Sequence, residues 1–576
     1  EQNGAGSFIK GNWITGIDVI DGFKGASSYK LPDRYANNHG RNVYYMLPLI
    51  LGLLGLLLHF TYDAKNGFVV TLFFLLTGVA IVVYLNQTPI QPRERDYAFA
   101  GSFYAFSIWI GFAVAAIVSG IQQLLKGKQE TVSAVVATAA CLCVPVLMAA
   151  QNWDDHNRSN RNTALEMAYN YLNSVGDQGI LVTHGDNDTF PLWYAQEVEE
   201  VRNDVRIVNT SLLGTDWYID QMKYAVNESK PLPLTVGQEQ YLYGTNEYVY
   251  IYDSRETVTS IKDVMAVFKH PEAKLQLSGN RKADYICSRK ISIPVNRDNV
   301  LKYGILPVQY ADVIPDEIII EIPQSKEYLT KPELFMLDFL AGYQWDRPLN
   351  LLNQGGDINI GIKDYLMYEG YSYKFVPIRN KIGHLDVGKV DAERLYRLMT
   401  EVYKFDAVKR QDYYVDYQNF YTNLGVMSLR SLFVNVAGAF MKEGQYERAL
   451  EMLDKCRECV PETTYPIETI PLGFSGNDYM VIQMVEYYYQ LGEKDKAREL
   501  GIAMANDLMV SSRFYLEFYD LSQSDFELCA NYVYLLADTF REGGDAALAG
   551  KLLDNLSRLG DFASGKIPTA KEANED

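Results

Sequence analysis

The stretch Val43–Ala150 limits the folds open to this chain more than any other, because four apolar runs follow one another inside it. They lie at about 43–60, 68–85, 103–125 and 132–150. Each has roughly the 17–25 residues that a helix needs to cross a bilayer core. The first, VYYMLPLILGLLGLLLHF, carries no acid or base except His59, and the third, FYAFSIWIGFAVAAIVSGIQQLL, carries none. A soluble domain can bury one helix that is apolar all round, but four in a row joined by short polar links call for lipid. The expectation is four transmembrane α-helices, both ends of the set on one side.

Which side is not fixed by the basic residues. Lys65, Lys126 and Lys128 fall in the two tight links, while Arg41, Arg93, Arg95, Arg158 and Arg161 fall opposite. Long translocated domains escape the positive-inside rule in any case. The loop 86–102 reads NQTPIQPRERDYAFAGS. Its two prolines stop a helix, and Arg93-Glu94-Arg95-Asp96 then arrives at the edge of the third run. Charges there are costly unless they meet partners. Two readings stay open: a site for an anionic lipid headgroup, with arginine forks on phosphate, or an interfacial anchor in which two acids neutralise two bases.

Residues 1–42, rich in Gly, Asn, Asp and Pro, read as an irregular interfacial segment. Glu1 opens the chain with no signal peptide ahead of the first run, which leads us to expect a missing N-terminal transmembrane part. A net charge of −19 argues against nucleic acid as partner. Of the six cysteines, Cys456 and Cys459 form a C-x-x-C with no second pair beside it, so neither a zinc site nor a disulfide framework is expected.

From residue 151 to about 390 the pattern is that of a soluble α/β domain. The helix TALEMAYNYLNSV leads to the strand GILVTHG, then to GDNDTFPLWYAQEVEEV as turn and helix, and to the strand VRIVNTSLL. That alternation predicts a small, mostly parallel sheet. The segment RPLNLLNQGGDINIGIKDYLMYEGYSYKFVPI reads as strand, Gly-rich turn, helix and strand. Residues 391–576 read as an all-α tail of TPR-like helical repeats. Three helix–turn–helix units align, with Gly444, Gly492 and Gly544 at the turns and Ala449, Ala497 and Ala549 five residues later. Their spacing exceeds the 34 residues of a tetratricopeptide repeat. Such arrays bind partners or buttress a neighbour.

Chemistry-bearing residues are few. Asp186 and Asp188 form a D-x-D at a strand end, which could hold a divalent metal through hard carboxylate oxygens. The plainer alternative makes Asn187 or Asp188 a helix N-cap and Asp186 an Asx turn. His184 and Asp216 are expected near the same strand ends, where α/β sheets place ligands. Tyr248, Tyr250 and Tyr252 alternate along one strand and share a face. They could stack on a sugar or acceptor, although packing on the rest of the domain is the stronger expectation. Gly355-Gly356-Asp357 lacks phosphate-loop spacing.

The strings GNWITGIDVID, YLNQTPIQPRERDYAFAGSFYAFSIWIG, THGDNDTFPLWYAQEVEEVRNDVRIVN, SLLGTDWYIDQM and YLMYEGYSYKFVPI resemble the later part of Bacteroidetes membrane proteins carrying the domain of unknown function 2723. That family is similar to GT-C glycosyltransferases and to transmembrane protein O-mannosyltransferases with a repeat-containing tail. The resemblance implies a multi-pass protein of the inner membrane with its soluble domains in the periplasm. It implies transfer of a sugar such as mannose from a polyprenyl-phosphate donor to Ser or Thr of an exported protein, with Arg93 and Arg95 near the carrier phosphate. It also implies a catalytic acid beside the first span, a region this chain does not contain, so the catalytic residue is unknown and the piece is expected to be inactive alone. The competing class is a non-enzymatic envelope scaffold whose repeats bind another envelope protein.

Overall fold

A computed structural model describes residues 11–22, 32–36, 38–86, 95–125, 130–253, 256–352, 358–379, 390–410, 429–462, 467 and 476–563. The chain divides into two compact units, one built mainly from Glu1–Ser159 and Ile467–Asp576, the other from Asn160–Tyr414 and Phe420–Pro466.

The first unit contains α1 (Leu47–Tyr62), α2 (Ala64–Leu85), α3 (Ala100–Leu124) and α4 (Glu130–His156). Three of these, α2, α3 (extended by the 3-10 turn Asp96–Phe99) and α4, are long and apolar enough to cross a membrane, which marks the chain as a membrane protein. The first run falls short of expectation. Tyr45 and Met46 take left-handed backbone, so its helix starts only at Leu47 and has 16 residues. At 1.5 Å per residue that is about 24 Å, against roughly 30 Å of hydrocarbon. Large apolar side chains such as Phe68, Leu76, Val83, Phe103 and Val136 are exposed, far more apolar surface than a soluble fold leaves to water. Inside the set, α1 and α3 meet backbone to backbone: a Cβ added at Gly55 would lie 1.7 Å from the Trp109 carbonyl oxygen. Small residues at such crossings are how helices associate in lipid.

The second unit begins with α5 (Thr163–Ser174), β1 (Ile180–Thr183), α6 (Gly185–Glu197), β2 (Arg206–Asn209) and α7 (Asp216–Met222). Then come β3 (Tyr248–Ile251), β4 (Thr259–Ser260), α8 (Ile261–Lys269), β5 (Tyr285–Ile286), β6 (Lys290–Pro294), β7 (Glu317–Glu321), β8 (Tyr328–Thr330) and α9 (Lys331–Gly342). It continues with β9 (Leu349–Leu351), β10 (Leu366–Tyr368), β11 (Tyr373–Phe375) and α10 (Ala392–Arg397). The helical hairpin α11 (Leu429–Lys442) and α12 (Tyr446–Cys459) belongs to this unit as well.

The main sheet runs β10-β11-β9-β1-β2, and two three-stranded sheets, β8-β3-β5 and β4-β6-β7, share one apolar core with it. The pairs β1–β2 and β1–β9 are parallel, while β9–β11 and β10–β11 are antiparallel, so the sheet is mixed rather than mostly parallel. The helix expected between the Gly-rich turn and the last strand of this segment is not found among the described residues. Lys363–Tyr365 makes one 3-10 turn and the chain then enters the β10–β11 hairpin. Alternation decides this: Ile358, Ile360 and Ile362 are all buried, the two-residue period of extended chain, and Gly370, at φ +86°, sits in the hairpin turn. Gly355–Asp357 lie outside the described residues.

A buried polar knot ties the end of this sheet to α10. Glu369 pairs with Lys374, has Arg394 Nε at 3.4 Å, and accepts from Asn350 Nδ2 at 3.2 Å. Asn350 also donates to Ser372 Oγ at 2.9 Å, which in turn meets Ser174 Oγ at 3.0 Å.

The chain closes in the first unit with α13 (Gly476–Gln490), α14 (Lys494–Glu517), α15 (Tyr519–Glu542) and α16 (Ala546–Ala563). Gly444, Gly492 and Gly544 all have positive φ after a helix, the left-handed stop that glycine makes without a Cβ clash. Ala449, Ala497 and Ala549 are buried where the second helix of each hairpin crosses the first.

Candidate functional site

The sheet itself points to one place. Ile180, Leu181 and Val182 are buried on both faces, as expected of a central strand. From β1 the chain goes to β2 on one side and later returns to β9 on the other. In open α/β sheets ligands bind at the carboxyl ends of the strands beside such a switch of direction. His184 stands there. It is the N-cap of α6, and its Nδ1 lies 2.8 Å from Thr210 Oγ1 and 3.4 Å from Ser211 Oγ. The Thr210 hydroxyl also reaches the Thr183 carbonyl at 3.1 Å. With its proton placed there, His184 donates from Nδ1 and keeps Nε2 as the acceptor. Beneath it Asn209 donates to Thr189 Oγ1 at 2.9 Å and accepts from the Ser211 amide at 2.8 Å, which fixes the loop after β2.

Asp186 and Asp188 occupy the first turn of α6, which begins at Gly185. The cap is therefore His184, not Asn187 or Asp188, because Gly185 at φ +73° turns the chain before the aspartates arrive. Residues two apart on a helix do not face each other, so the two carboxylates diverge. Among the described residues no group of three or more His, Cys, Asp or Glu is placed to hold a metal ion. The carboxylates do suit the positive end of the helix dipole. Asp216 follows the same strand end by seven residues, and its carboxylate accepts from the Trp217 amide at 2.8 Å and the Tyr243 amide at 3.3 Å.

The tyrosines are brought together. On β3, Val249 points into the core beside Leu329 of β8 and Ile286 of β5, all three fully buried. Tyr248, Tyr250 and Tyr252 point the other way and are 62%, 41% and 51% exposed. They do not enter the core of the domain, because the inner face of this sheet is already filled by the aliphatic residues between them. Sequence reasoning missed two further rings on the face, Tyr328 and Tyr285. Tyr328 meets Tyr248 edge to face at 4.9 Å, and Tyr285 meets Tyr252 at 6.1 Å. The signal was present: YLT and YIC repeat the tyrosine–aliphatic alternation of YVYIY.

At the membrane edge, Arg95 is exposed just ahead of the 3-10 turn that leads into α3; Arg93 lies outside the described residues. The same end of the helices carries a polar clasp, in which Asn42 Nδ2 reaches Asn152 Oδ1 at 3.2 Å and Asp155 Oδ2 at 3.0 Å on the last turns of α4. Nearby, burial pushes Arg41 below its usual range while the Asp21 charge works against that. Burial would raise Asp21, but hydrogen bonds from Thr15 (3.0 Å from N, 2.8 Å from Oγ1) and the Gly16 amide (2.7 Å) prevail and hold its carboxyl low.

Residues 164–394 match the family model described as TMEM260-associated domain 2. The match takes in the five-stranded and both three-stranded sheets and runs from α5 into α10. No curated protein and no solved structure matches the chain.

Proposed function

We propose that the chain is the C-terminal part of a GT-C-like integral-membrane glycosyltransferase. It would move a sugar, mannose first among candidates, from a polyprenyl-phosphate carrier to Ser or Thr of exported proteins. The observation that carries this reading is the order of parts: a body matching TMEM260-associated domain 2 follows directly on helices long and apolar enough for a membrane. In this reading α1 is a fourth crossing, short enough to need local thinning of the bilayer. The sheet-bearing unit and the last hairpins face the periplasm from the inner membrane, and those hairpins serve as a TPR-like array that helps position the acceptor.

Arg95, with Arg93, would meet the carrier phosphate beside the start of α3, where the positive end of a 25-residue helix adds to the guanidinium charge. The tyrosine face would stack on sugar or acceptor. The general base belongs to a part of the protein outside this chain. The test is charge reversal, Arg93→Glu with Arg95→Glu, in the full-length protein supplied with lipid-linked sugar. Loss of transfer with an unchanged fold is expected, whereas normal turnover would remove both arginines from the site. Glycoproteomics of exported proteins in a deletion strain tests the activity itself.

A further inference from the structure

The second unit buries two arginines beside each other, and among the described residues no carboxylate pairs with either. Arg206 opens β2, and Arg347 stands two residues ahead of β9. Ile180 of β1 pairs with Arg206 on one side and Leu349 on the other. Both arginines therefore sit at the amino end of the parallel strands, opposite the His184 end. Their side chains are more than nine-tenths buried, at 3% and 5% exposure. Both converge on one carbonyl, Lys230 O, which lies 3.3 Å from Arg206 Nη2 and 3.2 Å from Arg347 Nη1. Arg206 Nη2 also reaches Tyr224 O.

Three further donor atoms of the pair are unmet. Arg206 Nε, Arg347 Nε and Arg347 Nη2 are buried with no hydrogen-bond acceptor among the described residues. Nε and Nη2 make up the flank of a guanidinium that grips two oxygens at once. Arg202, in the same unit, shows that grip filled: its Nε and Nη2 hold the two carboxylate oxygens of Asp204 at 2.7 and 2.9 Å. Arg347 presents the same flank unfilled. Asp346 is the acid next to it in sequence, but it is exposed and acts on Arg347 through its charge, with no hydrogen bond between them among the described residues. Burial and the Arg206 charge together push Arg347 down to about 10 against the pull of Asp346. A water molecule would satisfy one or two of these N–H groups, but it would not balance two like charges that share a single carbonyl.

We propose that Arg206 and Arg347 form a binding site for one small oxyanion of phosphate type, held two-pronged by Arg347 and steadied by Arg206 Nε. The site is separate from the His184 strand end and from the tyrosine face, and it does not depend on the glycosyl-transfer reading.

Equilibrium dialysis of the full chain in detergent against labelled inorganic phosphate, at fixed pH and ionic strength, tests it. One saturable site with a Kd below about 1 mM is expected, displaced by sulfate but not by chloride. Arg347→Met and Arg206→Met should each weaken binding by about ten-fold or more. Arg347→Lys, which keeps the charge and loses the fork, should fall between, and it serves if the methionine variants do not fold. Arg297→Met, at a half-exposed arginine elsewhere in the unit, should bind as the parent does. No saturable binding by the parent protein, binding indifferent to Arg347→Lys, or a density map with water or the Asp346 carboxylate on the Arg347 flank would each overturn the proposal.

Discussion

Glu369→Gln is the most informative single change in the second unit. Glu369 is fully buried, and Lys374 beside it is 4% exposed. Once the carboxylate is gone, the Lys374 ammonium loses its counter-charge and has, among the described residues, the Gly304 carbonyl at 3.5 Å and the new amide oxygen as neutral acceptors. At an effective dielectric of about 20, the single 3.4 Å pair with Arg394 corresponds to about 5 kcal/mol. Relief of the desolvation cost of Glu369 offsets part of that, and breaking a buried pair from one side costs about 3–5 kcal/mol. The readout is amide exchange at pH 7 in peptides covering β10 and β11 of the full chain. Their protection should drop by about 10²- to 10⁴-fold. A double replacement, Glu369→Met with Lys374→Met, should recover part of it, because it removes the buried Lys374 charge together with its partner and leaves the partly exposed Arg394 as the remaining uncompensated cation. The acid dependence follows. Burial alone would raise the Glu369 carboxyl, but Lys374 and Arg394 outweigh it and hold the group below its usual range. Its contribution is thus complete above the ordinary carboxylate pKa of about 4.3 and disappears as pH falls through the lower folded value. Protection unchanged in Glu369→Gln would refute the claim that this charge pair holds the hairpin.

Four further expectations can be checked in the same protein. Arg498 and Tyr489 hold Asp545 down to about 2, so exchange protection at the α15–α16 turn should persist at pH 4 and fade as pH approaches 2, and Asp545→Asn should remove that dependence. Gly370→Ala forces an L side chain to φ +86° with its Cβ 2.7 Å from Leu395 Cδ2, and denaturant titration should show a loss of about 1–3 kcal/mol. Asp186→Asn or Asp188→Asn should cost at most about 1 kcal/mol, and a manganese-dependent rise in the melting temperature that either change abolished would restore the metal reading. Serine at Tyr248, Tyr250 and Tyr252 together should leave the melting temperature close to the parent value, since the rings are exposed, while weakening capture of glycosylated acceptor peptides.

The parts of this fold that were legible in sequence are those set by local period and local stops. Three of the four apolar runs form helices of membrane length, and three left-handed glycines stop helices where they were expected. The pattern through α5, β1, α6 and β2 follows from alternation of apolar residues at two spacings. The rest depends on pairing across the chain. Nothing near Tyr45 announces the left-handed turn that shortens α1, and nothing in IKDYLMYE distinguishes a helix from a hairpin until β11 supplies its partner. The direction of the tyrosine face was misjudged for the same reason. A two-residue period gives the two sides of a strand but not which is inside, and that was decided by Ile286 and Leu329 on strands far away in sequence.

That small sheet also sets what kinds of change this gene can accept. β3 is only four residues long, and its rings and its aliphatic residues take strictly alternate places. Exchange of one ring for another side chain alters a surface and little else. Loss or gain of one codon between Tyr248 and Tyr250 would shift the parity of everything downstream in the strand, driving phenol hydroxyls inward and Val249 or its successor into water. Drift in this region should therefore proceed by replacement, with its length held constant.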